Sequence, residues 1–225
     1  MDAVRPGGRA PARACAVCGL ALDASPGRCP NPLCHRADRG FSVVFHVGLY
    51  AGAMRHALLR YKYKRELWWS KIFARGVADF LHGRPTWFEE FDLILGVPGY
   101  TGSGSRRGWD PVDGILDELR PLVEPSWDVA RDVVVKTSET PPMQRLPRSQ
   151  RRRCAEGALR RSLVVARPGE VAGARVLLFD DVMTEGSTLR EVARALRAAG
   201  AAEVAGLVLA RLPWSPLPPA SSPAV

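Results

Sequence analysis

The chain is predicted to be an α/β protein, a mostly parallel sheet flanked by helices, with a small cysteine-rich element ahead of it. Three observations lead there. First, the apolar runs Leu93-Ile94-Leu95, Val176-Leu177-Leu178-Phe179 and Val204 to Leu209 are continuous rather than alternating, so these strands are buried on both faces. Second, apolar residues recur at helical spacing between the strands, as Leu189, Val192, Ala193 and Leu196 do on one face of a helix that Gly200 can stop. Third, two close cysteine pairs precede the first strand.

Composition bounds the rest. A chain of 225 residues that is 46% hydrophobic can bury one core and keep a small appendage. No apolar run approaches the ~20 residues that span a bilayer, and the first residues lack the hydrophobic segment of a secretory signal. The expectation is a cytoplasmic protein without membrane insertion. A net charge of +9 favours anionic partners such as phosphates or nucleic acid. Residues 1–14 and the Pro-rich tail 213–225 are expected to be disordered or extended, leaving an element at 15–40 and a domain at 41–212.

The cysteines fall in the runs Cys15-Ala16-Val17-Cys18 and Cys29-Pro30-Asn31-Pro32-Leu33-Cys34. Two such pairs around a short spacer follow the pattern of a structural four-cysteine zinc site, with Cys15, Cys18, Cys29 and Cys34 as ligands. A disulfide is the weaker alternative in a cytoplasmic protein. His35 is an alternative ligand to Cys34, and Cys154 is left as a free thiol.

Further on, Phe41 to Tyr50 reads as a strand with His46 packed inside it. A helix from Ala53 sets Met54, Ala57, Leu58 and Tyr61 on one face. It runs into a basic-aromatic cluster in which Lys62 is a candidate cationic lip over a phosphate. A second helix, about Trp68 to Phe80, is expected to turn Trp69, Ile72, Phe73 and Val77 inward. The strand beginning at Asp92 ends in the turn Val97-Pro98-Gly99-Tyr100, and Arg106 and Arg107 beyond it are candidate anion contacts. The nearby glycines Gly102, Gly104 and Gly108 miss the dinucleotide spacing by one residue. A helix through Val112 to Leu119 and a strand through Val129 to Lys136 come next. Residues 137–161 hold seven arginines and three prolines, and are expected to form a long polar loop with the composition of a lid.

The stretch from Val176 to Leu189 carries the chemistry. A buried strand ends in two carboxylates, Asp180 and Asp181, then turns through Thr184-Glu185-Gly186-Ser187-Thr188 into a helix. The helix N-terminus offers unpaired N–H groups and a positive dipole end, and Ser187 and Thr188 add hydroxyls, so the turn can hold a sugar phosphate. This run resembles the phosphoribosyl-pyrophosphate (PRPP) motif of type I phosphoribosyltransferases. The resemblance implies that Asp180 and Asp181 bind the ribose hydroxyls and that Thr184, Glu185, Gly186, Ser187 and Thr188 wrap the 5′-phosphate. It likewise places the pyrophosphate on Val97, Pro98, Gly99 and Tyr100.

With the four-cysteine element, the Tyr61-Lys62-Tyr63-Lys64 cluster, the Arg107-Gly108-Trp109 step and the Arg-rich segment, residues 15 to 211 are similar to the ComF-type phosphoribosyltransferases. That resemblance implies a type I phosphoribosyltransferase core with a zinc-ribbon-like element. The implied reaction is a Mg²⁺-dependent transfer of ribose 5-phosphate from PRPP to a nitrogen acceptor. Asp180, Asp181 and Glu185 are then the catalytic candidates, and Lys62, Arg106 and Arg107 further PRPP contacts. The family's association with DNA uptake makes single- or double-stranded DNA, or a DNA-processing protein, a partner class, and leaves room for an oligomer. Asp110 and Cys154 stand where the family often has Asn, and Glu185 where a small residue is commoner. Glu185 is expected to turn outward, leaving the backbone cradle intact; turned inward, it would weaken PRPP binding or act as a base for the nucleophile. The alternative is a protein of this fold that binds nucleic acid or a partner without the reaction.

Overall fold

A computed structural model describes residues 14–22, 28–125, 127–141 and 148–213. The expected N-terminal and Pro-rich tails lie almost wholly outside the described residues. In chain order the elements are β1 (Val44–Leu49), α1 (Gly52–Lys64), α2 (Trp69–His82), α3 (Pro85–Phe88), β2 (Leu93–Gly96), α4 (Pro111–Leu119), β3 (Asp128–Ala130) and β4 (Val134–Lys136). Then come α5 (Arg148–Cys154), a π-helical turn at Ala155–Leu159, α6 (Arg160–Ser162), β5 (Leu163–Val165), α7 (Pro168–Val171), β6 (Arg175–Met183), α8 (Ser187–Ala198) and β7 (Glu203–Arg211).

Five strands form a parallel sheet in the order β1-β7-β6-β2-β3. Its two faces bury alternate residues of the same runs. Ile94, Leu177, Phe179, Ala205 and Leu207 pack under α1, α2 and α4, whereas Leu93, Leu95, Val176, Leu178, Val204 and Val208 meet α8 and the cysteine element. Burial on both sides is why these segments show no polar alternation. Gly206 lets α8 sit close on the sheet, since a Cβ there would stand 2.6 Å from Leu189 Cδ2. The register pairs Gly96 with Phe179, so the turn after β2 lies beside Asp180 toward the carboxyl end of β6. Ligands of open α/β sheets bind at that edge.

The structure corrects three expectations. The strand expected over 129–136 is two strands. Asp132, in the left-handed region at φ 57°, turns the chain out of the sheet, and β4 pairs antiparallel with β5. Asp tolerates that conformation better than most residues. In the segment expected as a long polar loop, residues 137–141 are irregular as expected, but the chain is helical from Arg148 to Ser162. Arg, Gln, Ala and Glu are adequate helix formers, and Ala155, Leu159 and Ser162 supply a buried stripe. Finally, Ile72 is 50% exposed, because the inward stripe of α2 is Ser70, Phe73, Ala74, Val77 and Leu81.

Candidate functional site

The site is built at the carboxyl ends of β6 and β2. β6 delivers Asp180 and Asp181 near its carboxyl end, and the Asp181 N–H donates to Asp180 Oδ1 at 2.8 Å. α1 brings Lys62 over them, with its Nζ 2.5 Å from Asp181 Oδ2 and both side chains largely buried. Burial opposes the Lys62 ammonium, but Asp181 and Asp180 outweigh it and raise its pKa above the usual lysine value. Desolvation, then the neighbouring Asp181 charge, pushes the Asp180 carboxyl well above the ordinary carboxylate range. Lys62 thus sits on the acid pair itself.

Beyond Met183 the chain turns through Gly186, whose φ of 92° belongs to the left-handed region where a side chain would be strained. α8 starts at the next residue. Ser187 Oγ is buried without a hydrogen-bond partner among the described residues. An orphaned buried hydroxyl at a helix N-terminus suits an anionic oxygen. Glu185 is buried at 6% exposure. The cysteine element covers this part of the loop, and Asn31 Nδ2 donates to the Glu185 carbonyl at 2.9 Å.

Across the cleft, Val97 is buried while Gly99 is exposed. The Gly99 N–H donates to Asp110 Oδ2 at 2.5 Å, and Asp110 Oδ1 accepts from Val112 N at 2.9 Å as the N-cap of α4. Burial, then the nearby Asp113 charge, raises the Asp110 carboxyl to about 6. One of the N–H groups expected to face a pyrophosphate is therefore engaged. A cavity of about 90 Å³ opens beside this turn, lined by Gly96, Pro98, Gly99, Asp110 and Lys136 among others. The Tyr100 hydroxyl donates to the Ser103 carbonyl. Arg106 pairs with Glu139 at 2.8 Å, and Arg107 lies over the Tyr63 ring at 5.4 Å. Neither of these contacts involves the acid pair.

The four cysteine sulfurs lie within 4.8 Å of one another. A tetrahedral site with Zn–S bonds of about 2.3 Å has edges of about 3.8 Å. Cys18 and Cys29 sulfurs stand 3.8 Å apart, and those of Cys29 and Cys34 3.7 Å. Burial holds the Cys29 thiol up at about 12, while bonds from Cys18 and Cys34 pull Cys15 far down. Thiolates this close repel, and a divalent cation removes the conflict, so the cluster could hold zinc as a closed structural site. His35 is not part of the cluster: its Nε2 is 2.7 Å from the Cys29 carbonyl oxygen. Cys154 is a free, partly buried thiol.

Two residues at the site carry no signal in the sequence. Arg211, 1% exposed at the end of β7, donates to the carbonyls of Cys18 and Thr184. Asn31 sits inside the second cysteine pair, where nothing distinguishes it from a turn residue. No helix among the described residues is long and apolar enough to cross a membrane.

The chain is similar to several known proteins. A family model described as "Phosphoribosyl transferase domain" matches residues 106–222. The chain is 29% identical over 202 residues to "Competence protein F" of Haemophilus influenzae, covering 88% of this chain and 84% of that protein. It is 28% identical over 192 residues to "DNA utilization protein YhgH" of Escherichia coli K12, covering 84% and 80%. Among solved structures, a purine phosphoribosyltransferase from Pyrococcus horikoshii Ot3 is 15% identical with a TM-score of 0.36, over 69% of this chain and 95% of that one.

Proposed function

This chain belongs to the phosphoribosyl transferase domain family, beside ComF-type members, and on that premise we propose that it binds PRPP at the carboxyl edge of β6. The observation that carries the reading is a single stretch. Asp180 and Asp181 lie shortly before Gly186, and Ser187 Oγ waits, unpartnered among the described residues, at the start of α8. In this reading the acid pair accepts from the ribose hydroxyls. Residues 184–188 hold the 5′-phosphate with backbone N–H groups and hydroxyls, and Val97 to Tyr100 face the pyrophosphate. Mg²⁺ would arrive with PRPP, held mainly by substrate oxygens and water, and would neutralise charge on the leaving group.

The reaction proposed is transfer of ribose 5-phosphate. The anomeric C–O bond breaks with its electron pair leaving on pyrophosphate, an acceptor nitrogen forms the new C–N bond, and that nitrogen gives up its proton. The protein's share is positioned charge rather than a covalent nucleophile. Lys62 must release or share Asp181 for the ribose to dock, and its ammonium then lies within reach of the substrate's phosphates. The arginines of α5 are candidate lid charges. The link to DNA uptake and use comes from the names of the relatives, and extends to this chain as part of the proposal.

Titration calorimetry with PRPP and Mg²⁺, on wild type and Asp181→Asn, tests the reading. Wild type should bind and the variant should lose most of its affinity; equal binding would mean the ribose is elsewhere.

A second reading has its own support: Lys62 occupies Asp181 and Asp110 occupies the Gly99 N–H, so both halves of the cleft are already engaged. A protein of this fold that binds nucleic acid would keep both contacts, and a net charge of +9 suits it. No PRPP binding, together with DNA binding that weakens steeply with salt, would favour that reading.

A further inference from the structure

We infer that Asn31 and Arg211 are positioning residues that tie the shape of the 184–187 loop to the state of the cysteine cluster. The coupling is a property of the fold; its consequence for phosphate binding rests on the PRPP reading above.

The loop carbonyls face the cysteine element. The Glu185 carbonyl accepts from Asn31 Nδ2 at 2.9 Å, and the Thr184 carbonyl accepts from Arg211 Nη1. A trans peptide is planar, with its C=O and N–H on opposite sides. Pulling the Thr184 and Glu185 carbonyls toward the cysteines therefore turns the N–H groups of Glu185 and Gly186 the other way, toward the cradle side. Those N–H groups are what a phosphate there would need.

Both donors are in turn held by the cysteine element. Asn31 lies between Cys29 and Cys34, and its Oδ1 accepts from Leu33 N at 3.1 Å to cap the 3-10 turn Pro32–His35 that ends the second cysteine pair. Arg211 Nε donates to the Cys18 carbonyl at 3.2 Å, and its Nη2 lies 3.6 Å from Cys18 Sγ. Asn31 and Arg211 are 0% and 1% exposed, so water cannot substitute for either bond without opening the element. Leu33 Cδ1 stands 3.8 Å from where a Cβ of Gly186 would be, so the turn also packs on the loop's left-handed residue. Whatever fixes the four sulfurs fixes both donors, and through them the loop.

Coupling between two sites is reciprocal. Zinc in the cluster should order the loop, and a ligand in the loop should retain zinc. The full chain, loaded with zinc, is compared with Asn31→Ser and Arg211→Lys. Serine can still cap the turn but is too short to reach the Glu185 carbonyl; lysine keeps the charge of Arg211 but not its fork. Hydrogen exchange at the amides of 185–187 is read by mass spectrometry in all three, at matched zinc stoichiometry. Zinc release to a chelator is timed with and without Mg²⁺-PRPP. The expected result is loop exchange at least tenfold faster in both variants with zinc retained. In wild type, zinc release should slow severalfold when PRPP is present, and that protection should shrink in the variants. Unchanged loop exchange in both variants overturns the inference. If PRPP binds wild type by calorimetry yet leaves zinc release unchanged, the coupling is overturned. If PRPP does not bind while the variants still exchange faster, the PRPP reading fails and the hold of Asn31 and Arg211 on the loop stands.

Discussion

Asp110 shows how one residue sets the character of the cleft. Its two carboxylate oxygens do separate work: Oδ1 caps α4 through Val112 N, and Oδ2 takes the Gly99 N–H. Asparagine could keep the cap but offers a donor where Oδ2 accepts, so Asp110→Asn should release the Gly99 N–H to a ligand. The raised pKa makes this testable by pH. The folded state holds the Asp110 proton up to about 6, against 3.8 for a free carboxyl. Between those values the folded state binds more protons than the unfolded one. This group's contribution to stability therefore falls as pH rises through the window, by up to about 3 kcal/mol. Urea midpoints measured from about pH 4 to pH 7 should climb less steeply on acidification in Asp110→Asn than in wild type. An unchanged slope would assign the titration to another group. In calorimetry the variant should bind PRPP severalfold more tightly at neutral pH, because a carboxylate no longer faces the pyrophosphate.

At the scale of elements, the helical segment Arg148–Ser162 is fastened by a chain of charges rather than by apolar packing alone. Arg190 of α8 is 2% exposed and pairs with Glu191 at 2.7 Å, Glu156 at 2.9 Å and Asp38 at 2.6 Å. Arg160 of α6 closes onto Glu191 at 2.7 Å. The segment, α8 and the end of the cysteine element are thus one network. Removing a partner from a buried set leaves an uncompensated charge, so Glu191→Ala should cost about 3 kcal/mol. Glu191→Gln should cost less, since the amide oxygen still accepts. Urea denaturation gives both values, and a loss under about 1 kcal/mol for the alanine variant would mean Arg190 is satisfied by Glu156 and Asp38 alone. The same segment marks the limit of what is legible in the sequence. β2, β6, β7 and α8 are readable because continuous apolar runs and a 3.6-residue period have few alternative explanations. Seven arginines between residues 137 and 161 mask a short buried stripe of Ala155, Leu159 and Ser162, and the partners that reward helix formation are far away in sequence. Asp180 and Asp181 are legible as a motif, but Lys62 lying on Asp181 is not, because no local pattern states which element crosses which.

For the molecule as a whole, the cysteine element is part of the main core rather than a bead on a tether. Cys15, Cys18, Leu20, Cys29 and Cys34 share a buried cluster with Leu178, Met183, Leu189 and Val208. The Val44 N–H of β1 donates to the Val17 carbonyl at 2.7 Å, which extends the sheet's bonding into the element. Two cysteine pairs announce a metal-binding pattern, yet spacing alone does not say whether such an element stands apart. A separate bead would lose its metal and melt without disturbing the sheet. A shared core predicts otherwise, since opening the sulfurs exposes the face of β6 and β7 that they cover. If about 3 kcal/mol of stability goes with the metal, the melting midpoint of a chain this size should drop by about 10 °C, at roughly 2–4 °C per kcal/mol. Calorimetry with and without a zinc chelator, under reducing conditions, should show one cooperative transition that moves down as a unit. Two resolved transitions, with the larger unmoved by the chelator, would show that the sheet stands without the element.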